Sequence, residues 1–269
     1  MMILFKRVGE SFRHIEDREW LLLVLETLGV LIGILLAFEL QEWASNRAYA
    51  AKHHEMMDRL FEESEQDVGS LRDIRDLLLA QSKAEVDFAT ELSAGKCPPE
   101  AKWTAVGTVQ MLPSFDLPRS VYTELMGSGG LASIPDPRVR KTIALFNSEL
   151  AWSEGQIDYF RGHRPDPVPV SDRRIRLRYD PAADEPEVAE YDRAALCADP
   201  VFRNEMVSAA RNHRVFASYH DGVTGWAITM CGALGESIGR RCEPAFGGPL
   251  KGEDVATLKK AIARMHKPV

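Results

Sequence analysis

The chain has 269 residues, with 33 Lys and Arg against 40 Asp and Glu and a formal net charge of -7. An acidic balance of this kind excludes a general affinity for nucleic acid. The length suits one sizeable domain or two small ones.

Residues 1–19 read as a short, charged lead-in. From Leu21 to Phe38 the chain is almost unbroken Leu, Val, Ile, Gly and Ala, with Glu26 as the one ionisable group. At ~1.5 Å rise per residue, such a helix matches the hydrocarbon core of a bilayer. Trp20 and Trp43 bracket it, as interfacial aromatics do. These features predict a transmembrane helix over residues 20–42. A buried core helix would show a polar face, and Leu28 to Phe38 has none. Ala48-Tyr49-Ala50 has the form of a signal-peptide cleavage site. The apolar run is too long for that reading, however, and Glu39, Glu42 and Arg47 separate it from the cut, so an uncleaved signal anchor fits better. Lys6, Arg7, Arg13 and Arg18 precede the helix, while Arg47, Lys52 and Arg59 follow it. This bias places the N-terminus in the cytoplasm and the larger C-terminal part outside, which in a bacterium is the periplasm.

No proline interrupts the stretch to Ser93, so a long amphipathic helix is expected over residues 43–95. Its apolar face comprises Met56/Met57, Leu60/Phe61, Ser64, Val68, Leu71, Ile74, Leu78, Val86, Phe88 and Leu92. Glu62, Glu63, Asp67, Arg72, Asp73 and Asp76 are expected on the remaining surface. Gly95-Lys96-Cys97-Pro98-Pro99 ends the helix. Residues 96–269 are expected to form a helical extramembrane domain against which residues 43–95 pack. Within it, a helix covers Arg119 to Met126 and breaks at Gly127-Ser128-Gly129-Gly130. Asp136-Pro137 caps and opens another, running to about Phe160. Residues 161–186 form a long loop in which Ile175, Leu177 and Tyr179 alternate with arginines, the pattern of one short strand. Asp199-Pro200 opens the last long helix, reaching about Arg240, with Val207, Val215, Tyr219, Val223, Trp226, Met230 and Leu234 inward. A short helix from Asp254 to Met265 follows. The fold class is therefore mainly α: a transmembrane helix continuing into a long amphipathic helix, then a helical bundle with one long loop.

Cys97, Cys197, Cys231 and Cys242 include no C-x-x-C pair, so zinc-finger and thioredoxin-like readings have no support. An even count in an exported domain leads us to expect two disulfides, with three connectivities open. Glu26 is the sharpest single residue. It either snorkels to the headgroups or joins Gly29, Gly33 and Ala37, which share its helix face, in a helix–helix contact. A lone carboxylate supplies no relay for proton conduction. Arg174, Arg176 and Arg178 would line one face of the strand and could contact an anionic group. The competing reading pairs them with Asp180, Asp184 and Glu185 as charges that guard a sheet edge. His213 and His220 fall on one helix face, but a metal site needs further ligands, so a structural role is expected for both. Ser128 lies in no nucleophile elbow, and neither a phosphate loop nor a dinucleotide fingerprint occurs.

Glu26, Gly33-Ile34-Leu35-Leu36-Ala37 and Trp43, with Ser128-Gly129-Gly130-Leu131 before the next helix, resemble a family of bacterial single-pass membrane proteins to which no activity is assigned. That family usually carries Asn before its Trp, where this chain has Gln41-Glu42. The resemblance covers roughly residues 20–75 and 118–160, and it implies an architecture and a membrane location only. The expected function is a non-enzymatic, membrane-anchored scaffold or accessory subunit. Its partners are the lipid bilayer and either a second copy or another membrane protein, with no cofactor and no small-molecule substrate identified. An exported sensor holding a ligand between its helices is the alternative, and an enzyme ranks last.

Overall fold

A computed structural model describes residues 17–179, 181–182 and 187–266, and it is mainly helical. The chain parts into two compact units between Met56 and Met57. One helix, α1 (Asp17–Ser93), contributes to both. The expected lead-in lies almost wholly outside the described residues.

In the first unit, α1 is apolar and open. Leu25 is 58% exposed, Leu35 60% and Phe38 64%. This is the one described helix long and apolar enough to cross a membrane.

In the second unit, α1 is followed by α2 (Thr104–Thr108), α3 (Ser120–Gly127) and α4 (Pro137–Gly162). Strands β1 (Ile175–Tyr179) and β2 (Glu187–Tyr191) come next, then α5 (Arg193–Ala198), α6 (Pro200–Ile238) and α7 (Glu253–Met265). α6 packs against both α4 and α7. The starts of α4 and α6 are built as the Asp-Pro pairs predict. Asp136 accepts from the Arg138 amide at 2.8 Å and Asp199 from the Val201 amide at 2.8 Å, each with proline in the first turn. Gly239, at φ 74°, ends α6 in the left-handed conformation and lets the Arg240 amide reach the Gly235 carbonyl at 2.8 Å.

From Met57 to Ser93, α1 buries a seven-residue repeat. Met57, Ser64, Leu71, Leu78, Glu85 and Leu92 are all buried. A second row, Leu60/Phe61, Asp67/Val68, Ser82 and Phe88/Ala89, lies beside it. The buried face is therefore wider than the apolar one. Glu63, Asp67 and Arg72, expected at the surface, are 6%, 4% and 6% exposed. Neighbouring elements cover this stretch of helix on more than one side, so its charged flank is enclosed with its apolar seam.

Around the end of α1, Trp103 organises one core cluster. Its ring stacks on Phe202 at 5.8 Å and meets Phe88 edge-on at 5.3 Å. Its Nε1–H donates to the Pro98 carbonyl at 3.1 Å, which satisfies the indole inside an apolar site. A second cluster joins Leu78, Ile157, Phe216 and Ala217. The inward face of α6 is the expected one at Val223, Met230 and Leu234, which are buried, but differs toward the start of the helix. Val207 is 42% exposed, while Phe202, Met206, Phe216 and His220 are fully buried. Near the start of the helix Ala209 and Ala210, not Val207, take the buried positions. The predicted strand pairs with a second that the alternation did not signal. β1 and β2 form an antiparallel hairpin in the register Arg176↔Glu190 and Leu177↔Ala189.

Both cysteine pairs stand at disulfide distance. Cys97–Cys197 has a Cα separation of 5.5 Å and Cys231–Cys242 of 5.6 Å. The first closes a span of 100 residues and the second one of 11. By loop entropy the long link stabilises by about 4.7 kcal/mol and the short one by about 3 kcal/mol. Cys97 is exposed, whereas Cys231 and Cys242 are buried. Brief treatment with a mild reductant should therefore free Cys97 and Cys197 before the other pair. Alkylation of the freed thiols followed by peptide mass spectrometry reads that order, and equal labelling of all four would count against it.

Candidate functional site

Of the expected site residues, Glu26, Gly29, Gly33 and Ala37 lie on the open stretch of α1. A Cβ added at Gly29 or Gly33 would meet nothing within 4 Å. Among the described residues, neither glycine is needed to make room for a neighbouring side chain.

The three hairpin arginines do not act alike. Arg174 is held by two carboxylates. Its Nη2 meets Asp172 and its Nη1 meets Asp199, both at 2.6 Å, tying the start of β1 to the start of α6. Hydrogen bonds from Arg174 hold Asp172 down at about 2 and pull Asp199 below the usual carboxylate range. Arg178 stands 3.7 Å from Glu190, and Arg176 lies directly across the ladder from the same residue. Arg174 thus pairs outside the hairpin and Arg178 across it. Asp180, Asp184 and Glu185 lie outside the described residues.

Two buried polar centres were not legible as sites. The first surrounds a cavity of about 10 Å³, room for one water molecule. Glu63, Asp67, Arg119 and Asn147 line it together with Leu60 and Tyr122. Glu63 caps α3 from α1, accepting the Val121 amide at 2.9 Å and the Tyr122 amide at 3.0 Å. Arg119, which precedes α3, makes no cap of its own and donates to Asn147 Oδ1 at 2.9 Å. Asp67 Oδ1 is buried without a hydrogen-bonding partner. Burial, with the Glu63 charge adding to it and Arg119 opposing, pushes the Asp67 carboxyl up to about 8.

The second centre joins α1, α2 and α6. Glu85 receives a hydrogen bond from Thr108 Oγ1 at 2.8 Å and pairs through its other oxygen with His213 Nδ1. His213 Nε2 has no partner. One further turn along α6 and beyond, His220 packs on the rings of Phe115 at 4.3 Å and Phe216 at 4.8 Å. Neither of its ring nitrogens makes a hydrogen bond of ordinary geometry. Burial drives the His220 imidazole down to about 4; the Pro113 backbone opposes this and His213 reinforces it. A third buried pairing fixes α7. Arg72 Nε and Arg75 Nη1 reach Asp254 at 3.1 and 2.6 Å, and Arg72 also donates to the Gly248 and Pro249 carbonyls. Among the described residues no group of three or more His, Cys, Asp or Glu is placed to hold a metal ion.

A repeat-based reading of α1 offered one signal for these centres. Glu85 occupies the same seven-residue row as Leu71, Leu78 and Leu92, a position where a charge is costly unless paired. Comparison with family models, with curated proteins and with solved structures finds no match to this chain. The resemblance noted above therefore rests on the residues that carry it.

His220 makes stability depend on acidity. Its folded pKa is depressed from 6.5 to about 4, so between those values the unfolded chain binds the extra proton. The contribution is complete above pH 6.5 and is lost as pH falls to about 4. His220→Phe removes the titration and suits the aromatic surroundings. Relative to the parent, its stability should rise by on the order of 3 kcal/mol between pH 6.5 and 4. Urea unfolding of both proteins at each pH reads this difference. A difference that stays constant with pH would assign the titration elsewhere.

Proposed function

We propose that this chain is a single-pass membrane protein whose second unit lies outside the cytoplasm and which acts as a scaffold or accessory subunit. One observation carries the reading. Between Val24 and Trp43, α1 presents large apolar side chains on every side, from Val24 at 47% exposed to Leu40 at 65%, at a cost in water that a bilayer removes. The two cysteine pairs are consistent with an oxidising compartment, and the Lys/Arg bias across residues 20–42 favours the same orientation. A reporter fused after Val269 that needs export for activity is expected to be active, and the protein is expected to resist alkaline extraction from membranes. A cytoplasm-only reporter that works at this position would reverse the topology.

The Glu26, Gly29, Gly33 and Ala37 face is the proposed point of self-association or of docking to another membrane helix. Small residues there let two backbones approach, and a protonated Glu26 can donate across the contact. Gly33→Leu should weaken association at least severalfold in a membrane two-hybrid assay, while Leu31→Ile on another face should not. Glu26→Gln should retain it, because the amide still donates. Equal association by the parent and Gly33→Leu would remove this face from the reading.

A further inference from the structure

We propose that Glu63 and Asp67 form an acid-tightened latch that docks the start of α3 on α1, gripping when Asp67 carries a proton and easing when it gives that proton up to solvent. The two acids stand one turn apart on α1 and line the same water-sized cavity. Glu63 spends both oxygens on the Val121 and Tyr122 amides, so it works as a charged cap for a helix that lacks its own. Asp67 is 4% exposed and its Oδ1 has no partner.

The groups facing Asp67 leave one cation to offset two acids. From its own helix comes Glu63. From α3 and the residues before it come Tyr122 and Arg119, and Arg119 is shared with Asn147 and with Glu154 at 3.7 Å. α4 supplies the neutral Asn147, and α6 only Met230. A second carboxylate charge in this chamber is therefore costly, and the proton stays on Asp67 well above the ordinary range.

The sign follows from proton binding. The docked state holds the Asp67 proton up to about pH 8, whereas an opened state releases it from about 3.8 upward. Docking is strongest in acid, weakens as pH rises between those values, and changes no further above 8. The window from pH 6.5 to 8 is the useful one, since it lies above the range from about 4 to 6.5 in which His220 exerts most of its effect.

Amide exchange of the full chain in detergent micelles tests the latch, with rates for Val121 and Tyr122 corrected for the intrinsic effect of pH. Their protection should fall about tenfold per pH unit from 6.5 to 8 and then level off. In Asp67→Asn it should stay constant across the same range. Flat protection in the parent, or an Asp67→Asn variant that follows the parent, would overturn the proposal. Carbon-13 titration of the Asp67 carboxyl in the parent gives a check that needs no variant. A midpoint in the ordinary carboxylate range would equally end it, and a midpoint that falls in Glu63→Gln would support it.

Discussion

Between Met57 and Ser93, helix α1 must bury charge as well as oil. A lone ion in that setting costs several kcal/mol, so Glu63, Arg72 and Glu85 are each met by different elements of the second unit, while Asp67 is not. Glu63 takes the first amides of α3. Arg72 takes Asp254 of α7 and the carbonyls of the Gly248-Pro249 turn. Glu85 takes Thr108 of α2 and His213 of α6. Just beyond the helix, Cys97 is joined to Cys197 of α5. The apolar seam supplies most of the driving force, which is non-directional. The ionic and covalent contacts add direction, because each one admits a single partner at a single height along the helix.

Much of the architecture was legible in the residues. Proline after aspartate marked the starts of α4 and α6, and glycine marked the break after α3, because these residues act through local backbone geometry. The apolar run at Leu21–Phe38 and the amphipathic stretch after it were legible for the same reason: period and composition are local properties. The buried centres were not. Whether Asp67 faces water or protein depends on what α3 and α4 lay over it, and no spacing within α1 encodes that. The buried alanines of α6 are a related case. Alanines at 209, 210, 217 and 227 are buried because other elements come close, and small size alone gave no sign of it. Likewise β2 was hidden, since only Val188 and Tyr191 of its five residues carry the branched or aromatic bias of a strand, and the rest gain their place from the ladder with β1.

The two histidines of α6 show how one residue type serves opposite ends in one core. His213 faces a carboxylate, so its ring is bound into a polar chain that runs from Thr108 through Glu85. His220 faces phenylalanine rings, and burial among them favours its neutral form. Burial likewise favours the neutral form of Asp67, and the neighbouring Glu63 adds to it. The second unit thus holds two uncharged titratable groups whose responses to pH have opposite sign.

The pairing of Arg72 with Asp254 spans 182 positions of chain, and that of Glu85 with His213 spans 128. During synthesis α1 emerges first, yet the residues that neutralise its buried charges emerge last. Until Asp254 appears, Arg72 and Arg75 lack the carboxylate that meets both of them in the folded chain. Contacts this distant make for slow, late-closing folding, and they leave an apolar surface open to other chains meanwhile. The long link from Cys97 to Cys197, in turn, can form only once the 100 residues between them have been made.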